Sequence, residues 1–473
     1  MTSDCSFLTD LELDGVISFS DSDRALHAGD FGAETQGWTN PPDAVAWPAS
    51  TADVATIVKA ANGRGIPVTP FAAGTSLEGH AVPAYGGVSL DMTRMNAILD
   101  IRPADFQIDV ESGVLGTDID DAAGEHGLFF PPIPSSGDIS TIGGMIATDA
   151  SGMKTVKYGE VADWVLELEA VLADGTIITA GSKAVKTSSG YNLKELVIGS
   201  EGTLAVVTRA TLQLAGRPAQ VRGGRVVFPT LEQATRAVTD AIQSGLDVAT
   251  IELIDRDCAI MANAYSETSL PDRPMTFLEF HANHGVDEEI AYCRELFEAH
   301  DAQQIEMAEE ARMADLWRAR RDLTYAILEY DPDLTPLYPG DVTVPISSLG
   351  EIIRFAKALG EEHDILVPCF GHAGDGNVHY TVLVDESNPA VVDCGETIYR
   401  QTIRRAIELG GTATGEHGIG RGKREYLVAE HGDGAVEAMR TIKRALDPHD
   451  TLNPGKIFPE TADGYRVRAD STN

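Results

Sequence analysis

Apolar residues recur three and four positions apart at Val54, Ile57, Val58 and Ala61, which predicts a helix. Ser50 followed by Asp53 is a capping arrangement with Asp in place of the usual Glu, and Asn62-Gly63 closes the helix. The pattern then shortens to strands at 66–69 and 87–92, with a loop of small residues over 70–80 between them. Residues 165–172 and 176–179 flank Asp174-Gly175, a hairpin signal, and 205–214 alternates as a strand. From about Arg225 the order becomes strand 225–228, helix 231–243 capped by Thr230, strands 249–254 and 275–280, and helix 287–300. That order fits a ferredoxin-like half. A similar order recurs as strand 341–345, helix 349–359, strands 365–370 and 378–384, and a long helix 389–409. Between the halves 311–329 is helical, with Leu316, Leu323 and Ile327 on one side. Residues 1–40 are polar and weakly periodic, a lead-in segment.

A chain of 473 residues predicts two or three domains, and 43% hydrophobic residues suffice for their cores. No apolar run is long enough to span a membrane, and the start has no charged and apolar pair of regions that would mark a secretory signal. Cys5, Cys258, Cys293, Cys369 and Cys394 are scattered without paired spacing, so they read as reduced cytosolic thiols. The net charge of −37 argues against nucleic acid as a partner, since phosphate binding needs a basic face. Persistent periodicity argues against acidic disorder. Arginine carries most of the positive charge. We read the balance as an acidic, strongly hydrated surface of the halophilic kind.

Candidate chemistry sits in three places. The first is the loop Phe71-Ala72-Ala73-Gly74-Thr75-Ser76-Leu77-Glu78-Gly79-His80, which can turn several backbone amides towards one point but is neither a Walker loop nor a dinucleotide fingerprint. Alone, it is equally a tight turn. Next come Pro131 to Ser136 and Thr141-Ile142-Gly143-Gly144-Met145-Ile146-Ala147-Thr148, where Gly and Ala would let a flat ligand approach or a helix pack closely on a sheet. The third is Gly371-His372-Ala373-Gly374-Asp375-Gly376-Asn377-Val378-His379, read with Gly415-Glu416-His417-Gly418. Imidazoles and a carboxylate at loop-forming positions are metal-ligand chemistry, and a spare His beside them could act as a general base; the alternative is solvated loop histidines. Among Arg318, Arg320 and Arg321 a guanidinium could grip a carboxylate with two nitrogens, or pair with Asp315 or Asp322 on the same helix.

Four of these pieces, PFAAGTSLEGH, PSSGDISTIGGMIATDASG, YGEVADWVLELEAVLADG and IGSEGTL, resemble the FAD-binding domain of the vanillyl-alcohol oxidase and p-cresol methylhydroxylase (PCMH) type. The segments LWRARRDLTYAILEY, GDVTVPISSL, PCFGHAGDGNVHYTVLV, GTATGEHGIGRGKREYL and LNPGKIFP resemble cytochrome-type D-lactate dehydrogenases and the glycolate oxidase FAD subunit. The resemblance runs over roughly 41–459. It implies an α+β fold with a two-subdomain PCMH-type FAD-binding domain, then a ferredoxin-like α+β substrate (cap) domain with a C-terminal helical segment. The expected division is a lead-in at 1–40, the FAD-binding domain at 41–217, the C-terminal substrate and metal domain at 218–460, and a tail at 461–473.

The resemblance also implies site residues. Gly74, Thr75, Ser76, Leu77, Thr141, Gly143, Gly144, Thr148 and Gly202 would contact FAD. Ala72 stands where Gly is usual, which is tolerable at negative φ. His80 is a candidate for covalent attachment, but the flavin is expected to be non-covalent. His372, His379 and Glu416 would hold a divalent metal, zinc being the expectation, with Asp375 and Asn377 fixing a ligand imidazole. His417 would be the base, and Arg320 would hold the substrate carboxylate. The implied reaction is oxidation of a D-2-hydroxy acid, D-lactate by preference. Glycolate or D-2-hydroxyglutarate is an alternative substrate on the same frame; the segment Tyr338 to Val342 favours lactate because a Lys near Gly340 is usual in the hydroxyglutarate type. A flavin-free metallohydrolase is the alternative of another class. Electrons would leave to a quinone, a cytochrome or an electron-transfer flavoprotein, since no iron–sulfur or haem-attachment pattern is present. The expected location is the cytoplasm or the inner face of a membrane, and a homodimer is left open.

Overall fold

The computed structural model describes residues 3–460 except 267, and the side chains of all of these except 34, 35, 309–312 and 314–316. The tail at 461–473, Leu316 as part of an apolar side and Asp315 as an ion-pair partner lie outside the described residues. The chain divides into two compact units. The first runs to Ser151, then Glu160–Arg217, and takes the chain up again from Glu416; the second is Gly152–Gly159 with Pro218–Gly415. The chain therefore returns to its first unit after completing the second.

In the first unit, β1 (Val16–Ser18), β2 (Ala44–Trp47), β3 (Val68–Phe71) and β4 (Val88–Asp91) form a sheet in the order β1-β2-β4-β3. β2 and β3 lie parallel to β4, and β1 is antiparallel to β2. The predicted helix is Thr51–Asn62, and Ser50 caps it by accepting the Asp53 amide at 3.2 Å. Its predicted apolar face, Val54, Ile57, Val58 and Ala61, is fully buried. The lead-in is part of this unit: β1 pairs into the sheet, and Cys5, Phe7 and Leu8 enter the same core. Its elements are a 3-10 helix of five residues (Ser6–Asp10), a three-residue strand and α-helices of six and five residues (Asp21–Leu26 and Phe31–Thr35), too short for periodicity to register.

A second sheet of this unit takes β5 (Ile98–Arg102), β6 (Gln107–Glu111), β8 (Val165–Val171), β9 (Ile177–Gly181) and β10 (Val206–Gln213) in the order β5-β6-β10-β8-β9; β7 (Leu128–Phe129) and β11 (Ala215–Gly216) form a separate small pair. The β8–β9 hairpin turns at Asp174-Gly175, where Gly175 has φ +84°. The helix Ile142–Thr148 buries Ile142, Met145 and Ile146 in one core with Ile108, Val110, Leu168 and Leu212. The C-terminal helical segment, Leu427–Leu446, belongs to this unit and breaks at Gly432.

The second unit is built on one sheet of seven strands: β12 (Gln220–Val227), β13 (Thr250–Ile254), β14 (Met275–Ala282), β15 (Gln304–Glu309), β16 (Thr335–Thr343), β17 (Cys369–His372) and β18 (Asn377–Val384). Their order is β15-β12-β14-β13-β17-β18-β16, and every pair is antiparallel. The first four strands show the ferredoxin-like order expected of that half. The second half adds its strands to the edge of the first at β13–β17, so the repeat builds one continuous sheet. Two helices differ from expectation. Arg256–Ser266, between β13 and β14, went unpredicted, and the long helix between the halves is two, Glu310–Arg321 and Leu323–Leu328, separated at Asp322.

Candidate active site

The second unit gathers its site on one face of four adjacent strands. Glu252 of β13 is the cross-strand partner of His372 in β17, Phe370 of β17 is the partner of His379 in β18, and Asp341 of β16 is also a partner of His379. Cross-strand partners, and residues two apart along a strand, share a face, so this register lines up all five side chains. His372 and His379 stand edge to face with ring centroids 5.3 Å apart. Both are buried.

Glu252 is the residue that motif reading missed. It is completely buried, and its Oε1 pairs with His372 Nδ1 at 2.6 Å. Its Oε2 accepts Arg320 Nε at 2.9 Å and Nη2 at 2.5 Å. Burial alone would raise this carboxyl, but the charges of His372 and Arg320 overcome it and hold the group below its ordinary value. The only signal was a lone carboxylate in the apolar strand Thr250-Ile251-Glu252-Leu253-Ile254. A buried acid in such a strand requires a cationic partner.

Among the described residues Arg320 therefore pairs with Glu252, from another element. Two of its nitrogens are committed there, and Nη1 bonds nothing among the described residues. The guanidinium lies 5.0 Å from the centre of the Phe370 ring.

The expected supports of the imidazoles also shift. Asn377 donates to Asp341 Oδ1 at 2.7 Å, Val342 O at 3.3 Å and Thr343 Oγ1 at 3.0 Å, so it steadies a carboxylate and not a ring. Asp341 Oδ1 lies 3.8 Å from His379 Nδ1, while Oδ2 accepts Thr414 Oγ1 at 2.9 Å and the Gly415 amide at 2.8 Å. A Cβ at Gly415 would fall 2.0 Å from Asn377 Nδ2 and 2.3 Å from Thr343 Oγ1, so only glycine fits. Asp375 lies in the single turn Ala373–Asp375 between β17 and β18.

Glu416 and His417 are the next residues in the chain and belong to the first unit. There Ser151 donates to Glu416 Oε2 at 3.1 Å. His417 Nε2 is 3.8 Å from Glu416 Oε1.

The residues expected to hold a flavin converge within the first unit. Thr75 Oγ1 lies 3.1 Å from Ser140 Oγ, which precedes Thr141. Thr141 caps its helix by accepting the Gly144 amide at 3.3 Å, and Thr148 Oγ1 donates to Gly144 O at 3.3 Å. Gly144 faces Ala72, whose methyl would be 3.8 Å from an added Cβ. Gly143 passes so close to Ser112 that a Cβ would lie 2.7 Å from the Ser112 Cβ. Gly202, at φ +68°, abuts Pro70. Ala72 is not among the residues of positive φ, so its methyl is accommodated.

The backbone amides of residues 72–77, Leu77 included, donate no hydrogen bond among the described residues, and the loop turns at Gly74 with φ +67°. A run of amides left for an outside acceptor suits a pyrophosphate. The donor set of the second unit suits a divalent cation, since an imidazole whose Nδ1 is paired to a carboxylate is the usual form of a histidine ligand. His80 is buried in the first unit with Nε2 3.5 Å from Glu201 Oε1. Burial alone would lower its pKa, but Glu201, Asp30 and Glu78 raise it.

Comparison with known proteins agrees with this layout. Residues 42–181 match the FAD binding domain family, and residues 217–457 match the family described as FAD linked oxidases, C-terminal domain. The chain is 37% identical to a probable mitochondrial D-lactate dehydrogenase of Danio rerio, across 95% of this chain and 90% of that protein. It is 34% identical to the glycolate oxidase subunit GlcD of Bacillus subtilis, across 96% of each. A solved structure of 4-ethylphenol oxidase from Gulosibacter chungangensis matches with a TM-score of 0.75, covering 94% of both chains at 20% identity, a likeness of fold.

Proposed function

We propose that this chain, which belongs to the FAD-linked oxidases of the vanillyl-alcohol oxidase and PCMH type, oxidises a D-2-hydroxy acid, D-lactate by preference, to the 2-oxo acid. One observation carries the reading: a single buried carboxylate, Glu252, orients both an imidazole of the His372–His379 pair and the guanidinium of Arg320. A 2-hydroxy acid offers a hydroxyl for the first kind of group and a carboxylate for the second.

When bound, non-covalent FAD supplies a hydride acceptor, and a divalent cation, zinc by donor type, supplies Lewis acidity that lowers the hydroxyl pKa. His372, His379 and Glu416 are the proposed ligands of that cation. With Nδ1 bonded to Glu252, His372 would have Nε2 to offer such a cation. Asp341 anchors Gly415, the residue before Glu416. Arg320 offers Nη1 to the substrate carboxylate and sets its orientation. His417 takes the hydroxyl proton as a neutral base. The substrate would give up its hydroxyl proton to His417, and bound FAD would supply the acceptor for the Cα hydride, the two together making a balanced two-electron oxidation. Gly74, Thr75, Ser76, Leu77, Thr141, Gly143, Gly144, Thr148 and Gly202 are the proposed FAD contacts. A quinone, a cytochrome or an electron-transfer flavoprotein would then be needed to take up the electrons.

The test is direct. Purified protein should be yellow and bleach anaerobically on D-lactate, with glycolate and D-2-hydroxyglutarate as slower competitors. His417→Ala should keep the flavin spectrum and lose its reduction in a stopped-flow trace. Reduction at the unaltered rate would remove His417 from the mechanism, and colourless protein that takes up no added FAD would favour a metallohydrolase.

Among the described residues no helix is long and apolar enough to cross a membrane. A net charge of −37 supports a cytoplasm rich in salt as the working medium. Removing salt should then lower the unfolding temperature, because screening of the acidic surface is lost; an unfolding temperature independent of salt would argue against that setting.

A further inference from the structure

Two loops of the first unit grip the stretch that follows His417, and Glu201 holds two consecutive amides of it with its side chain. We propose that Glu201 is a positioning residue for His417, tying the segment that carries it to the helix of the flavin cradle; this rests on the reading of His417 given above. Glu201 Oε1 accepts the amide of Ile419 at 2.7 Å, and Oε2 accepts that of Gly420 at 2.9 Å. Its own amide donates to Ala147 O at 2.8 Å, inside the helix Ile142–Thr148 that contributes Gly143, Gly144 and Thr148. Its carbonyl accepts Asn453 Nδ2 at 2.7 Å, and the same Asn453 nitrogen donates to His80 O at 3.1 Å. Every polar atom of this residue is thus engaged, and the residue is 5% exposed.

The backbone at Glu201 adds a second line of argument. It has φ +54°, in the left-handed region that disfavours a residue bearing a Cβ. Glycine would satisfy that turn without strain. The position instead carries a carboxylate whose two oxygens face consecutive amides, so the side chain is what the strained backbone presents. The glycines of Gly418-Ile419-Gly420-Arg421-Gly422 fit the same picture. A Cβ at Gly418 would lie 2.7 Å from His80 Nε2 and 3.0 Å from Glu201 Oε1, and one at Gly420 would lie 2.3 Å from Glu78 O. Glu78 O also accepts the amides of Arg421 at 2.7 Å and Gly422 at 3.2 Å. The chain is therefore held at residues two, three, four and five beyond His417, all within loops that flank the proposed flavin contacts. Fixing Ile419 fixes the direction in which His417 leaves the backbone.

The experiment uses the FAD- and metal-loaded enzyme and single-turnover flavin reduction by D-lactate. Glu201→Gln should keep the flavin spectrum, the metal content and the substrate dependence, while the limiting reduction rate falls about 100-fold, the scale of a misplacement of about 1 Å. Glu201→Gly, which relieves the backbone strain while removing both acceptors, should fall at least as far, and its Ile419 and Gly420 amides should exchange hydrogen faster than in the unaltered enzyme. His417→Ala is run alongside as the reference. If it loses reduction while both Glu201 variants reduce flavin at the unaltered rate, the positioning role is wrong and the base assignment stands. A loss in the variants that follows loss of FAD, and is restored by excess FAD, makes Glu201 structural and overturns the proposal. If His417→Ala itself reduces flavin normally, the base assignment falls and takes this inference with it.

Discussion

The loop at 72–77 in the first unit offers six backbone amides flanked by small side chains, whereas β13, β17, β18 and β16 in the second offer side chains set by strand register. Around the loop the specificity lies in what is missing: Gly74 turns at φ +67°, and in the helix Ile142–Thr148 Gly143 leaves no room for a Cβ against Ser112. On the strands it lies in what is added, a buried carboxylate behind each imidazole, Glu252 for His372 and Asp341 near His379. A cradle of backbone tolerates changes of side-chain chemistry and fails on volume. A site of paired charges tolerates little chemical change, because removing one partner leaves the other buried and uncompensated.

The largest effect should come from Glu252→Ala. It strands Arg320 and His372 in a buried site, and breaking such a pair costs about 3–5 kcal/mol. Thermal unfolding should record that loss, metal content should fall, and turnover should drop by about 100-fold or more. Retained metal and near-normal turnover would show that the second unit does not depend on its carboxylate. Gly143→Ala should come next. The added methyl meets Ser112 at 2.7 Å, an overpacking that costs about 1–3 kcal/mol, and it should weaken FAD retention on gel filtration while leaving the metal bound. Equal loss of metal and flavin would erase the contrast between the units. Thr75→Ala should be the mildest. It removes one hydroxyl contact with Ser140, worth about 1 kcal/mol, and leaves the amides in place, so FAD affinity should change by less than about tenfold. A complete loss of flavin would mean that side chains hold the cofactor after all.

The same contrast explains how much the sequence disclosed. The helix Thr51–Asn62 and its cap were legible, because four buried positions and Ser50 act over one short window. The two glycine-rich stretches were legible as a cradle only jointly. Each alone reads equally as a turn or a packed helix, and the helix Ile142–Thr148 turns out to be packed as well. The histidines announced themselves through their glycines, and Gly415 proves to be required by the closeness of Asn377. Glu252 stayed hidden because its role depends on the pairing of β13 with β17, between residues 120 positions apart, which no local pattern encodes. The joining of the two halves into one sheet stayed hidden for the same reason, and so did the return of the chain to its first unit at Glu416. Among the described residues the partner of Arg320 lies on a strand, Glu252 of β13, which no helical spacing could have indicated.

Among the described residues the β13–β17 pairing is also the only strand-to-strand junction between the two halves of the seven-stranded sheet. Glu252 comes from one side of that junction and His372 from the other, in direct register. Sliding the seam by one residue would turn one of the pair to the opposite face. Assembly of the sheet and assembly of the site are therefore a single cooperative event. Anything that engages His372 in the folded state draws the two halves together by mass action, so occupancy of the site and integrity of the sheet should rise and fall as one quantity.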